Sequence, residues 1–403
     1  MKKLIALLLA LVMVLTLTAC SKENEPSATP NTTGSTEPVK DLTDLDELYW
    51  RDSYTANAQD AFAARATPVA SVGSASLTNG MLQVYYWMDV YSFISSYGNY
   101  LALYGLDYSA PLDAQACGNT DGTWQHYFLK SALDNWHKYQ ALALMADETS
   151  TPIEPAMQET LDNLYDDLAD AAADGGFDSI DAMIQRDTGP GCTAEDYYLY
   201  TELCYKGYSY FNKMVSAINV TDDMIAQYFS ENESDLKDSG ITKDSGDVCS
   251  VRHILIQVAD SKTDDDWEAC RDEAQRLLDE WLAGEHSEDT FAAYAREHSE
   301  DPGSNSNGGL YTGLNNETNF VQEFKDWYLA EGRATGDYGL VKTSYGYHIM
   351  YFSGTEAQWI SHCRDAVTDE LTAKIITDAA EKYTLTVDYE KIVLGEVDLT
   401  TGS

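Results

Sequence analysis

Two β-rich stretches, each containing one histidine, begin and end the segment 249–352. In the first, side chains of 251–256 alternate between two faces, with His253 in the inward set, which is the period-two pattern of a β-strand. In the second, His348 lies in a β-rich run directly after a turn at 344–346. The pattern predicts two strands that each place a histidine on the inner face of one domain.

The residues between the two histidines predict helices and one irregular loop. Apolar positions three and four apart predict one amphipathic helix around Trp281 and a second helix around Phe291. The loop 298–309 is too rich in Gly, Asn and Ser for regular structure. A third short helix is predicted to carry Phe320, Phe324, Trp327 and Leu329. The order strand, helices, strand indicates one compact α+β domain over 246–356.

Four motifs in this segment resemble those of parvulin-type peptidyl-prolyl isomerase domains. They are His-Ile-Leu at 253–255, Ser-Glu-Asp-Pro-Gly-Ser at 299–304 followed by Gly-Gly, Phe-x-x-x-Phe at 320–324, and Val-Lys-Thr-x-x-Gly-Tyr-His-Ile at 341–349. The order and spacing of all four carry the resemblance, which covers 246–356. Two departures are present, because Gly308-Gly309 leads straight into 310–313, and 315–319 replaces the glycine-containing turn that the family places before its apolar cup.

The resemblance implies a prolyl isomerase site that uses no cofactor and no metal. The residues that match the family's catalytic positions are His253, Asp301, Thr343 and His348. The residues that match its substrate-binding positions are Leu310, Phe320 and Phe324. For the paired histidines, a supporting hydrogen-bond network and direct proton chemistry both stay open, since the reaction needs no net proton transfer. For the two phenylalanines, an ordinary core pair is the alternative to a proline pocket.

The loop after the first strand bears on the choice of substrate. Parvulins that select phosphorylated Ser/Thr-Pro carry a basic cluster in that loop, where it can bind phosphate. In this chain the loop is 257–266, with one lysine among four aspartates. Because these carboxylates would repel phosphate, the sequence predicts that unphosphorylated X-Pro segments are the substrates.

The first residues predict a bacterial lipoprotein signal over 1–20. Lys2 and Lys3 precede a short apolar run, and Leu-Thr-Ala leads directly to Cys20. Cys20 is therefore the expected site of lipid attachment and the expected membrane anchor, with an ordinary secretory signal as the alternative. The segment 21–62 is predicted to be a flexible tether, since its first part is rich in Ser, Thr, Pro and Asn and cannot bury apolar surface.

The charge and the cysteines limit the partners further. The net charge of −42 makes nucleic acid an unsuitable partner, because nucleic-acid binding needs clustered Lys and Arg. Six cysteines follow Cys20 without a Cys-x-x-Cys pair, so a zinc site is not supported and the choice between disulfides and buried thiols stays open. They lie at positions 117, 192, 204, 249, 270 and 363. A thiol nucleophile at 249 or 270 lacks any accompanying base motif.

The flanks of the parvulin-like segment predict a second, mainly helical domain. Apolar spacing predicts helices through most of 63–245, among them one over 222–236, and Thr78, Thr193 and Thr221 are the expected N-caps of three of these helices. A short strand and turn are predicted over 68–76. The segment 357–403 reads as one helix followed by a strand over 384–394, which is too small to fold alone, so this strand and the strand near residue 70 are expected in one domain. This layout resembles PrsA- and SurA-type extracytoplasmic foldases, in which the two flanks join. The predicted fold class is α+β, with an antiparallel sheet and surrounding helices inserted in a mainly helical chaperone domain.

The function that this reading implies is a lipid-anchored foldase on the extracytoplasmic face of the bacterial membrane. It would isomerise X-Pro bonds in unfolded secreted polypeptides and act on them as a chaperone. The alternative is a parvulin-shaped holdase with little or no isomerase activity. A third reading, a solute-binding lipoprotein, predicts two similar α/β lobes, and the sequence shows no such doubling.

Overall fold

The computed structural model describes residues 51–118, 122–259, 261–397 and 399. The chain divides into two compact units. The first combines the chain up to Ile218 with the chain from Asp369 onward, and the second is Asn219–Thr368. The predicted signal segment, the lipid site Cys20 and the tether up to residue 50 lie outside the described residues.

The strands, in chain order, are β1 (Thr55–Ala56), β2 (Pro68–Val72), β3 (Ala75–Thr78), β4 (Asp247–Gln257), β5 (Leu310–Leu314), β6 (Tyr338–Lys342), β7 (Gly346–Ala357), β8 (Leu385–Val387) and β9 (Leu394–Gly395). The helices are α1 (Ala58–Ala64), α2 (Asn79–Tyr97), α3 (Trp124–Glu148), α4 (Pro155–Asp174), α5 (Ile180–Thr188), α6 (Ala194–Ser216), α7 (Asp222–Glu231), α8 (Glu233–Asp238), α9 (Asp264–Ala283), α10 (Glu288–His298), α11 (Gln322–Tyr328) and α12 (Gln358–Lys382).

The first unit is built around the long helices α2, α3 and α6. Thr78 caps α2 by accepting a hydrogen bond from the backbone of Met81, and Thr193 caps α6 in the same way. Helix α2 is apolar on nearly all sides, so it is buried along most of its length rather than along one stripe. Its rings and those of its neighbours form the core, with Tyr86, Phe128, Trp136 and Tyr197 fully buried.

Strands from before and after the second unit share a small sheet in the first unit. Strand β2 pairs antiparallel with β3 and with β8, and Ala70 lies opposite Val387. This pairing confirms the prediction that the strand near residue 70 and the strand near residue 386 lie in one domain. The predicted strand over 384–394 was too long, however, because a 3-10 turn at Tyr389–Lys391 ends β8 and the chain continues to β9.

Regular structure is present within the segment that was predicted to be a tether. Tyr54 is fully buried, β1 pairs with β9, and α1 begins at Ala58. Leu394 donates a backbone hydrogen bond to the Tyr54 carbonyl, which fixes this entry segment to the end of the chain. The tether prediction over 21–62 was therefore wrong at its C-terminal end.

The second unit has a four-stranded antiparallel sheet in the order β5-β4-β7-β6. Helices α9 and α10 pack on one face, around Ile254, Phe291 and Ile349. Helix α11 packs on the other face, where Phe324 meets Val251 and Met350. Alternation along β4 and β7 assigns successive residues to opposite faces. This architecture confirms the predicted α+β class with an antiparallel sheet.

The second unit also contains residues on both sides of the predicted segment 246–356. Helices α7 and α8 meet the first turns of α12, and Ile225, Phe229 and Leu236 pack with Cys363. The predicted helix over 222–236 is two helices, because α7 ends at Glu231, Asn232 lies between them and α8 begins at Glu233.

Two further sequence questions have structural answers. The six cysteines after Cys20 all carry free thiols, five of them buried and Cys249 half-buried. Among the described residues, no helix combines the length and the apolar character that crossing a membrane requires.

Candidate functional site

Strands β4 and β7 bring the two predicted histidines together. Leu255 lies opposite His348 in the register, so His253 and His348 are near neighbours on the same sheet face. The Nδ1 atoms of the two rings are 3.0 Å apart, and the rings are stacked with centroids 5.2 Å apart. Both side chains are buried, with 3% and 5% exposed.

The loop after α10 delivers Asp301 to this histidine pair. The loop is attached to β4 by two backbone hydrogen bonds, from Glu300 N–H to the Leu255 carbonyl and from His253 N–H to the Gly309 carbonyl. Gly309 has φ +75°, and a Cβ there would lie 2.2 Å from the His253 carbonyl oxygen. Only glycine fits this close approach, which explains the second residue of the Gly-Gly motif.

One oxygen of Asp301 accepts three side-chain hydrogen bonds. His253 Nε2 lies 2.8 Å from Asp301 Oδ2, Ser304 Oγ lies 2.6 Å from it and the Tyr311 hydroxyl lies 3.0 Å from it. Ser304 Oγ is also 3.0 Å from His253 Nε2. Because the Ser304 proton is donated to Asp301, the Ser304 oxygen can accept from His253.

A chain of hydrogen bonds continues from the carboxylate to Thr343. Since an ionised carboxylate only accepts, His253 must donate from Nε2. With one proton on each ring, His253 Nδ1 then accepts from His348 Nδ1–H, and His348 Nε2 accepts from the Thr343 hydroxyl at 2.9 Å. Thr343 Oγ1 in turn accepts from the backbone N–H of Tyr345 at 3.2 Å. Asp301 therefore orders the protons along the whole set.

The electrostatics of the site agree with this order. The hydrogen bond from His253 holds the pKa of Asp301 well below its usual range, although burial opposes the shift. Burial, assisted by the neighbouring His253, lowers the pKa of His348 to about 3, so this ring is neutral at physiological pH. Burial and the Asp301 charge raise the pKa of Tyr311 to about 12, which keeps its hydroxyl a donor.

Aromatic rings cover the polar set on one side. The Phe324 ring meets His253 at 5.2 Å and His348 at 5.4 Å, both edge to face. Phe320 lies 5.0 Å from Phe324 and 5.0 Å from Tyr311. The structure thus places an apolar wall beside a hydrogen-bonded floor.

Phe320 is not part of the predicted third helix. Helix α11 begins at Gln322, and Phe320 lies in the preceding bend. A turn over 315–318, closed by the Asn315 and Thr318 side chains, brings Phe320 over Tyr311. The helical spacing of the two phenylalanines was therefore a wrong reading of the local structure, although both rings line the same wall.

Leu310 is the one predicted site residue that the strand pairing turns away. It begins β5 opposite Arg252, whereas Tyr311 lies opposite Val251. Because successive strand residues point to opposite faces, the Tyr311 side chain takes the face of the two histidines and Leu310 takes the other. Leu310, which was predicted to bind substrate with Phe320 and Phe324, therefore lies on the opposite face of β5 from Tyr311.

Tyr311 and Ser304 are the site residues that sequence reasoning missed. Ser304 lies three residues after Asp301, and Tyr311 lies two residues after the Gly-Gly pair. The available signal was that Ser304 is the last residue of the Ser-Glu-Asp-Pro-Gly-Ser motif and that Tyr311 follows the Gly-Gly pair closely. In the described part of the chain, no group of three or more His, Cys, Asp or Glu side chains is arranged to hold a metal ion.

Residues 236–355 match the family model of the PPIC-type PPIase domain. This range contains β4, β5, β6 and all but the last two residues of β7, together with the loop that carries Asp301. The chain therefore contains a parvulin-type peptidyl-prolyl isomerase domain. No curated protein matches the sequence.

Solved structures of foldases are similar to the chain at low identity. PrsA from Bacillus subtilis is 22% identical, covers 65% of this chain and 87% of its own, and has a TM-score of 0.32. PrsA from Bacillus cereus is 20% identical, with 65% and 86% covered and a TM-score of 0.22. A SurA-like chaperone structure from Campylobacter jejuni is 16% identical, with 78% and 96% covered and a TM-score of 0.21.

Proposed function

We propose that this protein is a lipid-anchored extracytoplasmic foldase that isomerises X-Pro bonds in unfolded secreted polypeptides. The observation that carries the proposal is the aromatic wall of Phe320 and Phe324 against the ordered set Asp301, His253, His348 and Thr343. This set lies within a PPIC-type domain. The signal pattern ending at Cys20 supports the anchor.

The chemistry needs no covalent intermediate. Rotation about an X-Pro bond crosses a barrier of about 18 to 20 kcal/mol, because the amide loses its conjugation on the way. A site lowers this barrier when it binds the twisted amide more tightly than either planar form. The Phe320 and Phe324 rings would hold the proline ring, while the hydrogen-bonded set beneath them keeps this wall and its own dipoles in a fixed orientation beside the twisting amide.

In this mechanism Asp301 orients the other groups. Its Oδ2 already accepts from His253, Ser304 and Tyr311, and the Gly303 N–H donates to Oδ1 at 3.3 Å. A carboxylate so occupied is suited to holding the tautomer of His253. The histidines then serve as a supporting network, which matches a reaction with no net proton transfer.

The charge near the site supports unphosphorylated substrates. Lys262, the lysine of the loop after β4, donates to the Ser344 carbonyl. Asp266 accepts from Ser261 and Thr263, and these bonds lower its pKa and keep it ionised. A phosphate would meet this carboxylate instead of a basic cluster.

The test is isomerisation of proline peptides by the full chain and by Phe324→Ala. We expect wild-type turnover above background, a preference for the unphosphorylated Ser-Pro peptide, and a large loss of turnover in the variant. Phe324 is buried, so the variant should also unfold more readily, by about 3 to 5 kcal/mol. Thermal melting identifies the temperature at which it is still folded.

The matched control is Phe62→Ala, which removes a phenylalanine that is 41% exposed in the other unit. It should keep full turnover. If folded wild-type protein shows no turnover but still suppresses aggregation of an unfolded protein, the holdase replaces the isomerase as the function. The exposed aromatic side chains of the helical unit are the observation that favours this second candidate.

A further inference from the structure

Exposed apolar side chains are concentrated in one short stretch of the first unit. The exposed side chains in this stretch are Tyr97, Tyr100, Leu103, Tyr104 and Tyr108. Tyr100 is 65% exposed and Leu103 is 82% exposed. Single exposed apolar residues are normal on soluble proteins, whereas a contiguous group marks an interaction surface.

The local backbone explains why these side chains face outward together. Residues Gly98–Tyr104 form a 3-10 helix with Tyr97 as its N-cap. A 3-10 helix has three residues per turn, so side chains three apart lie above one another. Tyr97, Tyr100 and Leu103 therefore form one outward stripe, while Leu101 on another side is buried.

The stripe rests on a packed aromatic base. The Tyr97 and Tyr104 rings are 4.8 Å apart, and both contact Phe93, at 4.5 Å and 5.9 Å. Phe93 packs against Trp124 at 5.2 Å, and the Trp124 indole N–H donates to the Gly105 carbonyl at 3.3 Å. Tyr97 and Tyr104, which are held by these contacts, lose little side-chain freedom when a partner binds.

The charge around the stripe indicates what kind of partner fits. The sequence contains no Lys or Arg between Arg65 and Lys130. Asp107, between Tyr104 and Tyr108 in the chain, accepts hydrogen bonds from the Ser109 side chain and backbone. These bonds lower the pKa of Asp107 and keep it ionised. Tyrosine faces attract cations, so aromatic rings and a carboxylate together favour a basic partner.

We propose that the surface of residues 97–108, the tyrosine stripe, docks unfolded polypeptide segments that combine apolar side chains with Lys or Arg. The inference rests on the proposed foldase function, because it names the client class of the helical unit. Docking here requires no proline. A second copy of this chain fits less well, since two chains of net charge −42 repel each other.

The test measures binding of fluorescent, proline-free peptides to the full chain by anisotropy. One peptide alternates Arg with Leu and Phe, and its partner carries Glu at every Arg position. The test variant is Tyr100→Ser with Leu103→Ser. The matched control is Tyr165→Ser with Leu199→Ser, another tyrosine and leucine of the same unit that are 45% and 43% exposed.

We expect the arginine peptide to bind wild type and the control variant alike, and to bind the stripe variant at least tenfold more weakly. The glutamate peptide should bind wild type at least tenfold more weakly than the arginine peptide. Equal melting temperatures establish that both variants are folded, and Leu103→Asn alone serves if the double variant melts early.

Three outcomes would overturn the proposal. Equal peptide binding by both double variants places docking elsewhere, and equal binding of both peptides removes the charge selection. Sedimentation that shows a wild-type dimer lost only in the stripe variant assigns the surface to self-association. Proline isomerisation, measured on the same samples, separates the two proposals. Isomerisation without peptide binding would contradict the docking surface alone. Peptide binding without isomerisation would contradict the isomerase function alone.

Discussion

At the scale of single residues, Asp301 Oδ2 is the point where the loop, the sheet and the aromatic wall of the candidate site meet. The Tyr311 hydroxyl donates to this oxygen, while the Tyr311 ring contacts His253 at 5.5 Å and Phe320 at 5.0 Å. Tyr311 therefore joins the polar floor to the apolar wall. We infer that it is a positioning residue that acts through Asp301.

Tyr311→Phe separates these two contacts, since it keeps the ring and removes the hydroxyl. A hydrogen bond to a charged group is worth about 1.5 to 3 kcal/mol, so kcat should fall by roughly tenfold or more. KM should change little, because the wall that holds proline remains. Tyr338→Phe, at an exposed tyrosine of the same unit, is the control and should keep wild-type kinetics. A variant that loses stability but keeps kcat would assign Tyr311 a structural role only.

The shifted pKa values of His348 and Asp301 predict how stability depends on pH. The pKa of His348 is lowered from 6.5 to about 3 in the folded chain, so the unfolded chain takes up that proton first as the pH falls. The stability that this neutral ring supplies is complete above pH 6.5 and is lost as the pH falls toward 3. The pKa of Asp301 is also lowered, and its contribution is lost in acid, below its ordinary value of 3.8.

Calorimetry of the full chain and of His348→Gln between pH 7.5 and 4 tests this assignment. The wild type should lose melting temperature over this range faster than the variant, because glutamine can still accept from Thr343 but does not titrate. If the two curves run parallel, His348 is not the group that sets the acid sensitivity.

At the scale of elements, polar side chains of helix α2 form hydrogen bonds with the segment 391–395. Asn79, Gln83 and Trp87 are four residues apart and share one helix face. The Asn79 amide donates to the Lys391 carbonyl and accepts from Val393 N–H, both at 2.9 Å. Gln83 accepts from Gly395 N–H, and the Trp87 indole donates to the Gly395 carbonyl. These side chains thus add to the short pairing of β9 with β1 in holding 391–395.

Asn79→Ala should destabilise the first unit by roughly 1 to 3 kcal/mol. The substitution removes the hydrogen bonds to the Val393 N–H and the Lys391 carbonyl, which are partly buried, and each such bond contributes about 0.5 to 1.5 kcal/mol. Asn163→Ala, which removes an exposed amide on α4, should leave stability near wild type. Urea unfolding of both variants measures the effect, and equal unfolding midpoints would show that the Asn79 hydrogen bonds to 391–393 contribute no stability.

At the scale of the whole molecule, the proposed anchor decides where the foldase works. Cys20→Ser should give a protein without lipid that no longer fractionates with the membrane, because a hydroxyl cannot form the thioether. Membrane fractionation and the mass of the processed protein are the measurements. Cys249→Ser, which changes a thiol outside the signal, should behave as wild type. Unchanged membrane binding of Cys20→Ser would contradict the lipid anchor.

The sequence by itself determined the elements whose signals are local. Thr78, Thr193 and Thr221 were expected to cap helices, and each accepts the backbone hydrogen bond of a cap. Apolar spacing placed the long helices, and period-two alternation placed β4 and β7 with their histidines. The resemblance of the sequence motifs alone assigned His253, Asp301, Thr343 and His348 to one predicted site.

Only the tertiary structure decided the features that depend on residues far apart in the chain. The Tyr311 hydroxyl became part of the site because β5 pairs with β4, and Leu310 was turned away by the same register. Tyr54 is buried because β9, more than 300 residues later in the sequence, passes beside it. These outcomes leave no periodic trace, since the hydrogen bonds and packing that produce them join segments that no local pattern relates.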